Sequence, residues 1–167
     1  NKGLMYANKT KDSKLKNLLH NNLGNIYCFD KKEYKKGINH YKKSLEYSAI
    51  AKDSSQLLLT NLNIAWAFFD IKDFDQGYPY LQFVNRYHEK YGSDMTIVAI
   101  NMLNAIYHAD KRENSNAEYY FNKAIRLGKT SNEKFDLALT HQEYANYLKS
   151  IGNYKDAFEN LILYNTI

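Results

Sequence analysis

The stretch NNLGNIYCFDKKEY (residues 21–34) returns eighty residues later as NMLNAIYHADKREN (residues 101–114), and the two align without a gap. The same pattern recurs at half that distance. Positions 37, 77, 117 and 157 hold only Gly or Ala, and positions 41, 81, 121 and 161 hold only large, mainly apolar residues. A small residue followed four positions later by a large one forms a stripe on one face of a helix. The pattern therefore predicts an internal repeat of forty residues.

Each repeat also contains a helix upstream of that stripe. In the second repeat, apolar residues between positions 57 and 68 keep the helical spacing, and a turn follows at residues 71–73. Two helices of roughly 16 residues, about 24 Å each, and two short turns account for forty residues. One proline and seven glycines are too few for an all-β chain. We predict an all-α array of antiparallel helical hairpins, in which Pro79 either starts or kinks its helix.

Several segments resemble the tetratricopeptide (TPR) repeat family. LGNIY at 23–27 matches the core of the family's first helix, and GNYKDAFENLILY at 152–164 matches its second half; Ala117, Phe121 and Ala124 occupy second-helix packing positions. The resemblance implies a right-handed α-solenoid of stacked hairpins, with four full repeats and a partial N-terminal helix. The period of forty, against the usual 34 or so, is similar to the longer bacterial units.

The predicted domain organisation is a single solenoid fragment over residues 1–167. Its sections are a partial repeat at 1–12 and full repeats at about 14–53, 54–93, 94–133 and 134–167. The absence of an initiator Met and the mid-repeat start suggest a piece of a longer protein. Each hairpin has a face that it can bury only against the next hairpin. Cut ends of such an array are apolar, so end-to-end self-association is expected.

The net charge of +5 is spread unevenly. Residues 1–52 hold twelve lysines and four acids (12 − 4 = +8), whereas residues 53–167 hold eleven basic and fourteen acidic residues (11 − 14 = −3). Two interpretations stay open. The lysines form a solvated outer face, or they form a surface for nucleic acid or another anionic partner.

Few residues are arranged for catalysis. The histidines at 20, 40, 88, 108 and 141 lack the spacing of a helical metal site, and the glycines form no phosphate-binding loop. The lone Cys28 is expected to be a small buried hydrophobe, and His141, on the packing stripe of its helix, a structural residue more readily than a ligand. We therefore predict no enzymatic activity, no metal and no cofactor.

The TPR resemblance implies that the first helix of each repeat lines a concave groove. The candidate groove residues are Asn22, Asn25, Phe29, Leu59, Leu62, Trp66, Phe69, Met102, Ile106, Gln142, Asn146 and Lys149. Asparagine can both donate to and accept from a peptide backbone, while the apolar middle would select side chains. The alternatives are that the helix carrying Trp66 is wholly buried and that the asparagines are simply solvated.

These features predict a non-enzymatic scaffold that binds a protein or peptide in the groove. The resemblance to longer bacterial units suggests a sensory or regulatory region of a larger signalling protein, in the cytoplasm or the periplasm. A carboxylate-gripping clamp, known in some members of the family, is not expected, because Asn21 stands where the first lysine belongs. The alternative function is nonspecific RNA binding, driven by the lysines of the first 52 residues.

Overall fold

The computed structural model describes residues 2–9, 11–131 and 133–167. Every regular element in these ranges is helical, which confirms the predicted all-α fold class. The helices are α1 Lys2–Asn8, α2 Ser13–Asn25, α3 Tyr34–Ala51, α4 Ser54–Asp70, α5 Phe74–Tyr91, α6 Asp94–Asp110, α7 Asn114–Ser131, α8 Lys134–Ser150 and α9 Tyr154–Thr166, with a π-helical turn at Ile26–Asp30 after α2.

Consecutive helices pack in pairs, α2 with α3, α4 with α5, α6 with α7 and α8 with α9. The contacts divide the chain into two compact units, Asn1–Gly92 with α1 to α5 and Ser93–Ile167 with α6 to α9. In the first unit α3 also packs against α4, and in the second unit α8 packs against both α6 and α7. The single array over residues 1–167 stays a prediction.

The helix starts show the forty-residue period and one exception to it. The helices α3, α5, α7 and α9 begin at residues 34, 74, 114 and 154, which are forty apart. The residues that precede α2, α4, α6 and α8 are Asp12, Asp53, Ser93 and Glu133, at spacings of 41, 40 and 40. The first repeat thus holds one extra residue before α3. A π-helical turn closes over five residues instead of four, so the turn at Ile26–Asp30 accommodates the insertion.

This insertion corrects the register of the repeat in α2. Upstream of the π-helical turn, equivalent residues lie 41 apart, so Gly24 corresponds to Ala65, Ala105 and Ala145, and all four are buried. The gap-free match of residues 21–25 with residues 101–105 is therefore wrong by one position. Asn21, not Asn22, is the equivalent of Leu62.

The helices of the second repeat continue through its proline. Asp73 precedes α5, and its side chain accepts a hydrogen bond from the backbone N–H of Gln76, 3.4 Å away. The helix then runs from Phe74 to Tyr91 with Pro79 in its interior. Pro79 therefore does not start the helix, and the kink stays a prediction.

The small residues of the repeat lie against neighbouring helices, as predicted. A Cβ added to Gly37 would overlap Cys28 Sγ, and one added to Gly77 would come within 2.7 Å of the Phe69 ring. Ala117 and Ala157 are buried. The first unit has a core of Cys28, Ile38, Tyr41, Ile64, Ala67 and Phe68, and the second has one of Ala105, Ala117, Phe121, Tyr147, Leu148 and Ala157.

Candidate functional site

In the first unit, the first helices of two hairpins are joined by side-chain hydrogen bonds. Asn63 on α4 donates through Nδ2 to Asn21 Oδ1 at 3.2 Å and to Asn25 Oδ1 at 3.4 Å, both on α2. Phe29, in the π-helical turn, meets Trp66 of α4 edge to face, with ring centroids 5.9 Å apart. We call the surface formed by Asn21, Asn25, Phe29, Asn63 and Trp66 the α2/α4 face.

A buried polar network lies behind the α2/α4 face and fixes its asparagines. Tyr41 donates its phenolic proton to Asn25 Oδ1 at 2.7 Å, and Thr60 Oγ1 donates to Asn21 Oδ1 at 3.3 Å. Ser44 Oγ lies 3.2 Å from Thr60 Oγ1 and extends the network into α3. Tyr41, Ser44 and Thr60 are fully buried. Because buried polar groups are costly to leave unpaired, these bonds hold Asn21 and Asn25 in single orientations.

Half of the hydrogen-bonding capacity of two face residues is unused. Asn25 accepts through Oδ1, and no hydrogen bond joins its Nδ2 to another described residue. Asn63 donates through Nδ2, and its Oδ1 is likewise without a partner in the part of the chain that the structure describes. Both side chains are half-buried. The pair therefore offers one donor and one acceptor, the complement of a peptide group.

Trp66 is half-buried, between the two alternatives considered from the sequence. The indole meets the ring of Phe29 at a steep angle. The Asp70 carboxylate, one turn along α4, accepts a hydrogen bond from Tyr34 Oη at 3.3 Å. Partial burial raises the pKa of Asp70, although the hydrogen bond from Tyr34 lowers it. The contact with Phe29 holds the indole in place while part of its surface stays accessible.

Two candidate groove residues of α4 are placed differently from the prediction. Leu62 and Phe69 are 3% and 2% exposed. Phe69 meets Phe74 edge to face at 5.0 Å, within the packing of its own hairpin. This corrects their assignment to an accessible groove. Leu59 is half-buried, and Asn22 is exposed outside the hydrogen-bonded face, as the register shift requires.

The candidate groove residues of the second unit also differ in how far they are buried. Met102 is buried and Ile106 is half-buried against the second core. On α8, Gln142 is half-buried, whereas Asn146 and Lys149 are exposed. These three polar residues follow one helix face at spacings of four and three, but no hydrogen bond between described residues connects them into a site.

Comparison with known proteins supports the fold and adds no family. No family model matches the chain, and no curated protein matches it. Among solved structures, the chain is similar to the crystal structure of BtubC (BKLC) from P. vanneervenii, with a TM-score of 0.72 and 16% identity. The match covers 97% of this chain and 67% of that one. At this identity the likeness concerns the fold alone.

Cys28 and the side chains that could hold a metal ion are the candidates for chemistry in the sequence. Cys28 is buried, and burial raises the pKa of its thiol to about 11, so the nucleophilic thiolate is scarce near neutral pH. The described residues contain no group of three or more His, Cys, Asp and Glu side chains placed to hold a metal ion. Within the same residues, no helix is both long and apolar enough to span a membrane.

Buried polar residues recur at one position of the first helices. In the corrected register, His20, Asn61, Asn101 and His141 are equivalent, and all four are buried. Nδ1 of His141 lies 2.7 Å from Asn160 Oδ1 and must donate to it. Burial lowers the pKa of His141. This contact agrees with the structural role predicted for that histidine.

Because these histidines are buried, we predict that the free energy of unfolding falls in mild acid. Burial lowers the pKa of His20 from 6.5 to about 4, helped by the neighbouring His40 and Lys43. The unfolded chain takes up the proton first, so stability is full above about pH 6.5 and falls as the pH drops towards 4. The shift of 6.5 − 4, about 2.5 units, corresponds to a loss of at most about 3 kcal/mol.

Urea unfolding of the full chain at pH 7 and pH 4.5 measures this dependence. His20→Asn, which introduces the residue found at the equivalent positions 61 and 101, should make the decline shallower. An identical decline in the variant and the original chain would show that His20 does not carry it.

Proposed function

We propose that the chain is a non-enzymatic scaffold that binds an extended peptide segment of a partner protein on its α2/α4 face. The observation that supports this proposal most is the pair Asn25 and Asn63. Each side-chain amide has one group without a hydrogen-bond partner among the described residues, and both lie near the partly accessible Trp66. We further propose that the hairpins form a right-handed TPR-like solenoid of four full repeats. The forty-residue spacing of the helix starts supports this architecture.

Backbone recognition follows from the free atoms of the two asparagines. Asn25 Nδ2 can donate to a peptide carbonyl, and Asn63 Oδ1 can accept from a peptide N–H. Neither bond depends on the side chains of the peptide, so this part of the site holds a chain in extended form. Because Tyr41 already orients the Asn25 amide and the bonds to Asn21 and Asn25 orient Asn63, little conformational entropy is lost on binding.

Sequence preference would come from Trp66 and Phe29. Tryptophan is enriched among residues that dominate binding free energies, since it buries a large rigid surface. The indole is held in place by its edge-to-face contact with Phe29. An apolar or aromatic side chain of the peptide is the expected occupant beside it.

The biological setting that we propose is regulatory. The residues that resemble TPR repeats, with their longer bacterial period, support a sensory or regulatory region of a larger signalling protein. In such a region the bound peptide is the signal, and a neighbouring domain produces the response.

Trp66→Ala should weaken peptide binding by about 2 kcal/mol, or roughly thirtyfold in Kd. Because the indole is half-buried, the loss in unfolding free energy should stay below the roughly 3 to 5 kcal/mol of a fully buried tryptophan. Acrylamide should quench the fluorescence of this sole tryptophan partially, and bound peptide should protect it. Unquenchable emission from the free chain would contradict the accessible part of the indole.

A selection from a randomised peptide library tests the proposal. Peptides recovered on the full chain are titrated against the original chain, Trp66→Ala, Asn25→Ala and the control Lys42→Ala. We expect Trp66→Ala and Asn25→Ala each to weaken peptide binding at least tenfold, and Lys42→Ala to leave it unchanged. Equal binding by all four would overturn the site. Failure to select any peptide, together with binding of labelled RNA that weakens steeply as salt is raised, would favour the lysine-driven nucleic-acid alternative.

A further inference from the structure

A pocket in the first unit shares no residue with the α2/α4 face. It has a volume of about 190 Å³ and is lined by Tyr27, Lys36, Asn39, His40 and Lys43. The last four residues lie on α3 at positions i, i+3, i+4 and i+7, which is one side of the helix. Tyr27 closes the pocket from the π-helical turn. We call it the His40 pocket.

The aromatic wall of the His40 pocket is rigid. The rings of Tyr27 and His40 are parallel, with centroids 5.4 Å apart. His40 Nδ1 lies 2.9 Å from Nδ1 of His20, which is 4% exposed and stacks in turn on Tyr47. One of the two Nδ1 atoms must donate and the other must accept. Three other rings, those of Tyr27, His20 and Tyr47, therefore fix the position of His40 without using its Nε2 atom.

The charge of the pocket is positive. No carboxylate lines it, and Lys43 forms no ion pair with any described residue. Lys36 pairs with Glu33 at the rim, where both side chains are largely solvated, so this pair adds little attraction of its own. The amide of Asn39 makes no hydrogen bond to a described residue. Such a site disfavours a metal ion at the two histidines and favours an anion.

We propose that the His40 pocket binds the phosphate group of a phosphomonoester. Lys43 Nζ, the Asn39 amide and His40 Nε2–H supply the donors, and Lys36 approaches from the rim. In this arrangement His20 donates through Nδ1 to Nδ1 of His40, which leaves the proton of His40 on Nε2. A phosphate has three terminal oxygens for these separate donors and carries nearly two charges at pH 7. A carboxylate has only two oxygens and a single charge, so it matches the separate donors and the positive charge less well.

The volume agrees with this class of ligand. A water molecule occupies about 30 Å³ of liquid. A pocket of about 190 Å³ therefore admits a phosphate group and the first atoms of its ester. The bound group would lie on a different surface from the proposed peptide, so the inference does not depend on the proposed function.

Titrations with inorganic phosphate and O-phosphoserine test the proposal at constant ionic strength and pH 7. Binding is followed through the ring signals of His40 by nuclear magnetic resonance. We expect chemical-shift changes that saturate with both ligands. O-phosphoserine should bind more tightly than inorganic phosphate if the pocket also contacts the ester atoms, and equally tightly if it contacts only the phosphate group. Both results support a phosphate site. Shifts that rise linearly without saturation would overturn it.

Matched variants separate a built site from diffuse attraction to lysines. Lys43→Ala removes a charge from the pocket, whereas Lys42→Ala removes one from the adjacent exposed position. We expect at least a tenfold loss of affinity for Lys43→Ala and less than a twofold loss for Lys42→Ala. His40→Phe should keep the stack on Tyr27 and also lose affinity tenfold. Equal losses for both lysine variants, with thermal unfolding unchanged, would contradict the proposal.

Discussion

Phe121→Ala is expected to lower the free energy of unfolding of the second unit by about 3 to 5 kcal/mol. Phe121 is 1% exposed and lies between α7 and α8. Tyr144 stacks on its ring at 4.8 Å, and Tyr147 lies tilted at 5.7 Å. Removing the ring leaves a cavity among side chains that are held by their own helices. The neighbours therefore cannot close it fully.

Urea unfolding of the full chain, followed by circular dichroism, measures this loss. Tyr119→Ala is the matched control, because Tyr119 lies on the same helix but is 58% exposed. The control should change stability by less than about 1 kcal/mol. Similar losses for the two variants would contradict the assignment of Phe121 to the core.

Gly37→Ala is expected to lower the free energy of unfolding by about 3 kcal/mol, which is at the upper end of the usual destabilisation by overpacking. The added Cβ would overlap Cys28 Sγ and lie 3.0 Å from the backbone N of Cys28 and from the carbonyl oxygen of Gly24. A helix-favouring gain of about 0.5 to 1 kcal/mol opposes this cost but does not match it. The close approach between α3 and the π-helical turn thus requires glycine.

A double-mutant cycle identifies the cause of that loss. Cys28→Ala removes the sulfur atom, so Gly37→Ala in that background should recover about half of the lost stability, while the backbone contacts keep the rest. Gly3→Ala is the control, because among the described residues its Cβ would meet only Leu19, at an ordinary 3.6 Å. It should leave stability unchanged or raise it slightly. Additive losses in the cycle would show that Cys28 is not the obstacle.

The fold class could be predicted from the sequence because each hairpin repeats the same pattern, a small residue where two helices pack closely. Small residues at 37, 77, 117 and 157 mark close helix packing, and the structure confirms it at each. The π-helical turn was not predicted. Its signal was present, since Asp12 and Asp53 are 41 residues apart and the later caps are 40 apart. Only the backbone reveals where the extra residue is absorbed.

The candidate site was harder to predict because a repeat cannot distinguish two apolar sides of one helix. On α4, Leu62 and Phe69 follow the same spacing as Trp66, but only Trp66 keeps an accessible surface. The sequence predicts Asn25 as a groove residue, whereas Asn63 is not among the twelve candidate groove residues. Its role depends on hydrogen bonds to α2, which no single-helix pattern contains.

The most direct test of the peptide-binding proposal is a map of chemical-shift changes on the isotopically labelled full chain with one selected peptide. The side-chain amides of Asn25 and Asn63 and the indole N–H of Trp66 should show the largest changes, and all three should saturate with one Kd. The ring signals of His40 and the backbone signals around Lys43 should stay in place. Changes centred on the His40 pocket, with the three reporter groups unmoved, would contradict the account of the α2/α4 face.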